Sequence, residues 1–272
     1  AAALSHSGPR VHLIDRAESD AAHPDERTTT INAAGARMLA ALGAWDRLET
    51  PPAPVTRIAV AEGPAPTGLA ARRRPDSDLS WQSGDAPMGY VVANAALQSA
   101  LRETLAATNV IERRGCGVTG WSAGDTISSL GLADAAGQEE TMEAALVVAC
   151  DGARSMMAEL AGLGRREERQ RQTAIVTTLR AERPHEGTAF QRFLPTGPFA
   201  LMPGPGDAGG YEMSLVWTLP NDTAQQLIAA DNASFEAACL EAFGSRLGYL
   251  ALAGNRLAWP LQPAWRRRIT AP

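Results

Sequence analysis

The stretch LVVACDGARSMMAELAG, from Leu146 to Gly162, places a carboxylate and a glycine between an apolar run and a helical pattern. Ala144 to Cys150 reads as a buried strand that delivers Asp151 to its C-terminal edge. Gly152 permits a tight turn, and a helix is predicted from about Arg154 to Leu163. Ligands of open α/β sheets bind at that edge, and a helix N-terminus there favours anionic groups. The other reading is an ordinary strand-turn-helix with Asp151 as the helix cap. A second carboxylate, Asp15, ends the apolar run Val11-His12-Leu13-Ile14. Behind a glycine-rich turn, such an acid accepts hydrogen bonds from ribose hydroxyls. A solvated loop acid is the alternative.

Other chemistries find no residues. His6, His12, His23 and His185 lack metal-ligand spacing, so no metal site is expected. No Gly-x-Ser-x-Gly elbow points to a serine hydrolase. Cys116, Cys150 and Cys239 are scattered, which fits a reducing, cytoplasmic compartment with Cys150 and Cys239 as small core residues. The 272 residues carry a net charge of −5, with 20% charged and 45% hydrophobic residues. That composition is globular and argues against nucleic acid as a partner. Apolar runs are shorter than a membrane span, no signal peptide is recognisable, and Arg266-Arg267-Arg268 is too short a basic run to mark lipid binding.

The elements that must position these groups are mixed. Ala1 to Ser7 reads as a helix end stopped by Gly8-Pro9. A polar loop after Asp15 leads to a helix capped by Asn32, with Met38, Leu39, Leu42 and Trp45 at helical spacing, and prolines 51, 52 and 54 end it. Arg57 to Ala61 and Gly89 to Val92 read as strands. Asn94 is placed as the cap of a helix with Leu97, Leu101 and Leu105 on one face. Val110–Arg113, Val118–Trp121 and Thr126–Leu132 suggest a small antiparallel meander. Strands over Gln172–Arg180, Thr188–Leu194, Phe199–Pro203 and Tyr211–Leu219 suggest an antiparallel sheet, the last with one buried face carrying Met213, Leu215, Trp217 and Leu219. Helices near Thr223–Ala230 and Ser234–Phe243 precede a strand, Arg256 to Leu261.

These segments, in this order, resemble the flavin-dependent aromatic hydroxylases, in particular the branch that hydroxylates polyprenylated phenols in ubiquinone biosynthesis. CDGARSMMA is similar to that family's Asp-Gly motif, with Ala158 where the motif closes on arginine. DERTTTINAAGARMLAALGAWDRLE resembles its arginine loop and Leu-Gly-x-Trp helix. MGYVVANAALQSAL, FQRFLPTGPFALMP and SLVWTLP resemble its further strands and helix.

The resemblance implies an α/β fold, mixed α+β in character: a βαβ-type FAD domain interleaved with an antiparallel-sheet substrate domain. Residues 1–55 and 89–165 would belong to the FAD domain, 56–88 and 166–262 to the substrate domain, and 263–272 to the return. The cofactor would be FAD, with NAD(P)H as co-substrate. Asp15 would meet the adenosine ribose and Arg27 the diphosphate. Gln98 would border the flavin, and Asp151, Gly152, Arg154 and Ser155 would form the Asp-Gly motif. No residue is assigned a catalytic role, because the cofactor carries the reaction. Arg192, Phe193, Met202, Met213 and Trp217 would wall the substrate pocket, although an aromatic stripe on a strand also suits plain core. A prenylated aromatic small molecule is the implied partner, with other ubiquinone-biosynthesis proteins and a peripheral membrane contact at the inner face as extensions. The family's Gly-x-Gly-x-x-Gly turn would precede Ala1 and its Gly-Asp motif would follow Pro272, so residues 1–272 alone are expected to bind FAD poorly. Two other readings stay open: a hydroxylase or reductase of the same fold acting on another substrate, and a non-catalytic scaffold without flavin.

Overall fold

The structure is a computed structural model that describes residues 1–18, 25–65, 79–168 and 170–271. The chain forms two compact units that alternate along the sequence. One comprises Ala1–His23, Leu105–Gln170 and Gln262–Pro272, and the other comprises Pro24–Thr104 and Arg171–Leu261. Residues 24–55 and 89–104 therefore cluster with the large antiparallel sheet, although the sequence groups them with the cofactor domain.

In the first unit a short helix, Ala2–Ser5, precedes the strand His12–Asp15. That strand pairs in parallel with Ile111–Arg114, His12 opposite Ile111 and Asp15 opposite Arg114. The run predicted at Val110–Arg113 thus belongs to a parallel pair and not to the meander. The meander itself is Cys116–Ser122, Ser128–Asp134 and Glu139–Ala144, antiparallel throughout, with a bulge between Val118 and Gly120. Cys116, Leu130, Leu132 and Met157 form its buried core, with Ile14, Val118, Trp121 and Val147 packed against them.

The predicted buried strand over Ala144–Cys150 is not formed. Regular structure stops at Ala144, and the next six residues carry neither helix nor strand. Leu146 and Val148 are 71% and 58% exposed, and Cys150 is exposed rather than core. The apolar run has strand composition, yet no described strand pairs with it, and backbone groups without a ladder remain solvated. The following helix is also shorter than predicted, Met156–Leu160. Arg165–Glu167 then pairs antiparallel with Ala264–Arg266, two strands too short and too charged to stand out in the sequence.

The second unit is built on an eight-stranded sheet. Gln172–Ala181 and Glu212–Pro220 lie at its centre, followed outward by Gly197–Pro203, Thr188–Leu194, Arg57–Glu62 and Leu79–Gln82. Leu250–Leu252 and Leu257–Pro260 both pair with Gln172–Ala181 on its other side. All pairings are antiparallel except Thr188–Leu194 with Arg57–Glu62. Helices Asn221–Ala229 and Asn232–Phe243 cover one sheet face, where Ile175, Leu179, Phe199, Leu201, Met213, Leu215, Leu219 and Phe235 are almost fully buried. Cys239 joins that core, and burial pushes its thiol up to about 12.

The opposite face is partly covered as well. Ala53, Val55 and Val91 pack with Met202, Ile58 and Ala189. They come from a three-stranded sheet of Thr28–Asn32, Gly89–Ala93 and Ala53–Val55. Ser214 and Thr218 are accordingly buried too, so Glu212–Pro220 is covered on both faces rather than one. Asn32 caps the helix Ala33–Ala41 as predicted, its Oδ1 accepting the Gly35 amide at 2.7 Å. On the helix Asn94–Ala106 the most buried stripe is Ala96, Ala100 and Thr104, with the predicted leucines half-buried beside it. Gly197 makes a tight turn possible: its φ is +138°, and a Cβ there would sit 2.4 Å from the Thr218 carbonyl oxygen.

Candidate functional site

In the second unit, Asp25, Glu26 and Arg27 lead into the strand Thr28–Asn32 and are tied down on several sides. The Asp25 carboxylate accepts Arg27 Nε at Oδ1 and Nη2 at Oδ2, both at 2.7 Å. It also accepts the Arg27 amide at 3.1 Å and Asn94 Nδ2 at 3.2 Å. Asn94 begins the helix Asn94–Ala106. Its Oδ1 accepts the Thr29 hydroxyl, and its amide donates to the Arg27 carbonyl at 3.0 Å. Trp259, on the strand Leu257–Pro260, places its ring 4.3 Å below the Arg27 guanidinium carbon. Asn255 reaches back to Glu26 Oε1 at 2.9 Å.

The Asp25 side chain is 10% exposed and that of Arg27 is 36% exposed. The Arg27 hydrogen bond, opposed by burial and helped by Asn94, holds the Asp25 carboxyl down to about 2 from 3.8. Asp25 in turn raises the Arg27 pKa. The ion pair uses only one edge of the guanidinium. The donors on Nη1 and the outer side of Nη2 have no partner among the described residues, and that fork matches phosphate oxygens. Gln98 lies exposed farther along the same helix. Neither Asp25 nor Trp259 stands out in the sequence; the Asp-x-Arg spacing was the one signal available.

In the first unit, Asp15 is exposed at the C-terminal end of its parallel strand. Its Oδ1 accepts the Ala17 amide at 2.9 Å, while Oδ2 has no partner among the described residues and can accept a hydroxyl. Asp151 adds a bond to the first turn of the short helix without being its cap residue: its Oδ2 accepts the Met157 amide at 3.1 Å. Burial works against its charge, but the Ser155 hydroxyl and the Met157 amide hold its pKa below the usual range. Ser155 is buried and caps the same helix through the Ala158 amide at 3.0 Å. Gly152 sits at φ +81°, a turn that needs glycine for its backbone and not for lack of space. Arg154 is exposed. Ala158, where the family's motif carries arginine, is buried, so no long charged side chain fits without rearrangement.

The five residues expected to wall a pocket divide between the two faces of the eight-stranded sheet. Arg192, Met213 and Trp217 share the face beneath the helices through the pairs Arg192–Phe199, Phe199–Trp217 and Pro203–Met213. Phe193 and Met202 are on the other face, Phe193 exposed and Met202 half-buried with its sulfur accepting the Thr30 hydroxyl at 3.2 Å. They cannot form one wall, because residues adjacent in a strand point to opposite faces.

On that second face, register lines up Leu257, Val176, Val216, Ala200, Gln191, Val60 and Leu79 across the whole sheet. The stripe is apolar apart from Gln191, whose Nε2 is buried without a partner among the described residues. No alternation within a single strand reveals it, because it runs perpendicular to the chain. Among the described residues, no group of His, Cys, Asp and Glu could hold a metal ion, and no helix is long and apolar enough to cross a membrane.

The mixed α/β architecture is similar to that of solved monooxygenases. p-Nitrophenol 4-monooxygenase PnpA from Pseudomonas putida DLL-E4 superposes with a TM-score of 0.66 over 98% of this chain and 65% of its own, at 17% identity. The flavin-dependent monooxygenase PieE, solved with FAD and substrate, gives 0.65 over 99% of this chain and 48% of its own, at 14% identity.

The chain belongs to the FAD binding domain family, whose profile matches residues 1–253. It is 35% identical to ubiquinone hydroxylase UbiL of Rhodospirillum rubrum over 96% of this chain and 58% of that protein. It is 28% identical to 3-demethoxyubiquinol 3-hydroxylase of Escherichia coli over 91% of this chain and 61% of that protein. The mouse mitochondrial ubiquinone biosynthesis monooxygenase COQ6 is 27% identical over 89% of this chain and 49% of its own length. The chain thus spans about three-fifths or less of these relatives. Its residues fit FAD in kind: an open carboxylate oxygen on Asp15 suits a ribose hydroxyl, and the unused fork of Arg27 suits a phosphate.

Proposed function

We propose that the protein carrying this chain is an FAD-dependent monooxygenase that hydroxylates an aromatic ring, a polyprenylated phenol of ubiquinone biosynthesis, with NAD(P)H as co-substrate. The observation that carries this reading is the match along 96% of the chain to ubiquinone hydroxylase UbiL. FAD, when bound, supplies the redox chemistry with NAD(P)H and O₂. The chain's own residues bind, orient and exclude water. Asp15 accepts a ribose hydroxyl, and Arg27 donates to the diphosphate. Asp151, Gly152 and Ser155 shape the turn of the Asp-Gly motif, and Arg154 and Gln98, both exposed, are assigned cofactor contact by the family resemblance.

The apolar stripe supports the substrate class. Val176, Val216 and Ala200, flanked by Met202 and Phe193, offer an aromatic ring and its prenyl chain a continuous wall. Gln191 is the polar exception, and its buried Nε2 is a donor for a phenolic oxygen. Arg192, Met213 and Trp217 support that wall from the opposite face of the sheet.

The test is a visible spectrum of the purified full-length protein, then NAD(P)H oxidation with a prenylated phenol and mass analysis of the product. A flavin band and a product heavier by one oxygen are expected. A protein that takes up no FAD would overturn the cofactor assignment. A flavoprotein that hydroxylates only soluble aromatics, or only reduces its substrate, would overturn the substrate or reaction class.

A further inference from the structure

We propose that Asp25 and Trp259 are positioning residues that hold the Arg27 guanidinium with its outer edge presented to a diphosphate; this rests on the FAD reading above. An arginine side chain has many rotamers, and a free one must be ordered when it binds an anion. Here that ordering is complete in advance. The carboxylate fixes the guanidinium in its own plane through two bonds of 2.7 Å, and the indole ring lies against its face. What remains open is the Nη1 and outer Nη2 edge, a fork that meets two phosphate oxygens at once.

The support is itself held in place. Asn94 Nδ2 fixes the far oxygen of Asp25, Thr29 fixes Asn94, and the Arg27 carbonyl accepts the first amide of the helix Asn94–Ala106. Asn255 ties Glu26 to the segment that carries Trp259. Asp25 is too deeply covered to meet a ligand itself, at 10% exposure, whereas Arg27 retains 36%. The pair is therefore built to expose one member.

Charge and orientation make opposite predictions for Asp25, which allows a clean test. Asp25 offsets the positive charge of Arg27, so on charge alone Asp25→Asn would tighten anion binding. If orientation dominates, the same change loosens it. The experiment is calorimetric titration of the full-length protein, freed of bound flavin, with ADP, a diphosphate probe, and with adenosine, which lacks it. Thermal melting checks that each variant is folded.

Asp25→Asn and Trp259→Leu are expected to weaken ADP binding about tenfold and to leave adenosine binding within about twofold. Trp259→Phe, which keeps a ring under the cation, should stay near wild type. In an Arg27→Met background neither change should weaken ADP further, because both act through the guanidinium. Tighter ADP binding in Asp25→Asn, equal losses for ADP and adenosine, or losses that persist in Arg27→Met would each overturn the positioning role while leaving the FAD reading intact. A folded wild type that binds neither FAD nor ADP would overturn both.

Discussion

The Asp25 carboxyl is held strongly in its charged form by Arg27, so acid weakens this part of the fold. Its pKa is held down to about 2 from 3.8 by Arg27 and Asn94. A depressed carboxylate stabilises the folded state above its unfolded pKa and loses that contribution as the pH falls through its folded value. The contribution is therefore complete above about pH 4 and fades toward pH 2. Because Arg27 is partly open to solvent, the ion pair is worth about 1–2 kcal/mol. Urea denaturation at neutral pH should show Asp25→Asn less stable by that amount, and the difference from wild type should vanish in acid. A difference that is the same at both pH values would assign it to packing instead. At this scale the sequence was legible only in part. Asp15 and Asp151 were singled out because each follows an apolar run, and Arg27 only through the family resemblance. Trp259 and Asp25 meet only after the chain has folded, and nothing adjacent to Trp259 marks it. For Asp151 a motif located the residue, and the structure adds that its carboxylate also accepts an amide of the short helix that follows.

At the scale of elements, the strands of the large sheet were readable where side chains alternate and turns punctuate. Thr188–Leu194 has the bounds predicted for it, and Gln172–Ala181, Gly197–Pro203 and Glu212–Pro220 differ from prediction by a residue or two. The unreadable strands have physical reasons. Thr28–Asn32 is polar, Ala53–Val55 is flanked and interrupted by proline, and Glu139–Ala144 is a charged edge strand that buries little. The opposite error, in the strand predicted over Ala144–Cys150, arose because composition reports what a segment could bury and not whether a partner strand lies beside it. The hairpin between Thr188–Leu194 and Gly197–Pro203 yields a prediction of its own. Gly197→Ala adds a methyl group into the Thr218 carbonyl at a φ that L-residues rarely adopt, and should cost about 2–3 kcal/mol. The midpoint of urea unfolding measures it. A loss below about 0.5 kcal/mol would mean the turn relaxes freely.

At the scale of the whole molecule, the two units hold very unequal cores. The eight-stranded sheet and its helices enclose an extended cluster from Ala59 to Leu250, whereas among the described residues the other unit's buried cluster is Cys116, Leu130, Leu132 and Met157. Buried apolar area is the main source of stability, so local opening should differ between them. Hydrogen exchange followed by mass spectrometry should find the slowest amides in Gln172–Ala181 and Glu212–Pro220, and faster exchange throughout 105–168. Equal protection in both units would show that they unfold as one.

The parallel pairing of Arg57–Glu62 with Thr188–Leu194 also governs how the chain is made. A ribosome delivers Arg57–Glu62 long before its central neighbour exists, and the meander is completed in the interval. Until Thr188–Leu194 emerges, Leu79–Gln82 is the partner that the described residues give that strand, and its apolar stripe stays open to other nascent chains. Closing so long a loop is slow. Yield in a cell should therefore depend on translation speed and on chaperones that shield nascent strands, more than on the stability of the finished fold.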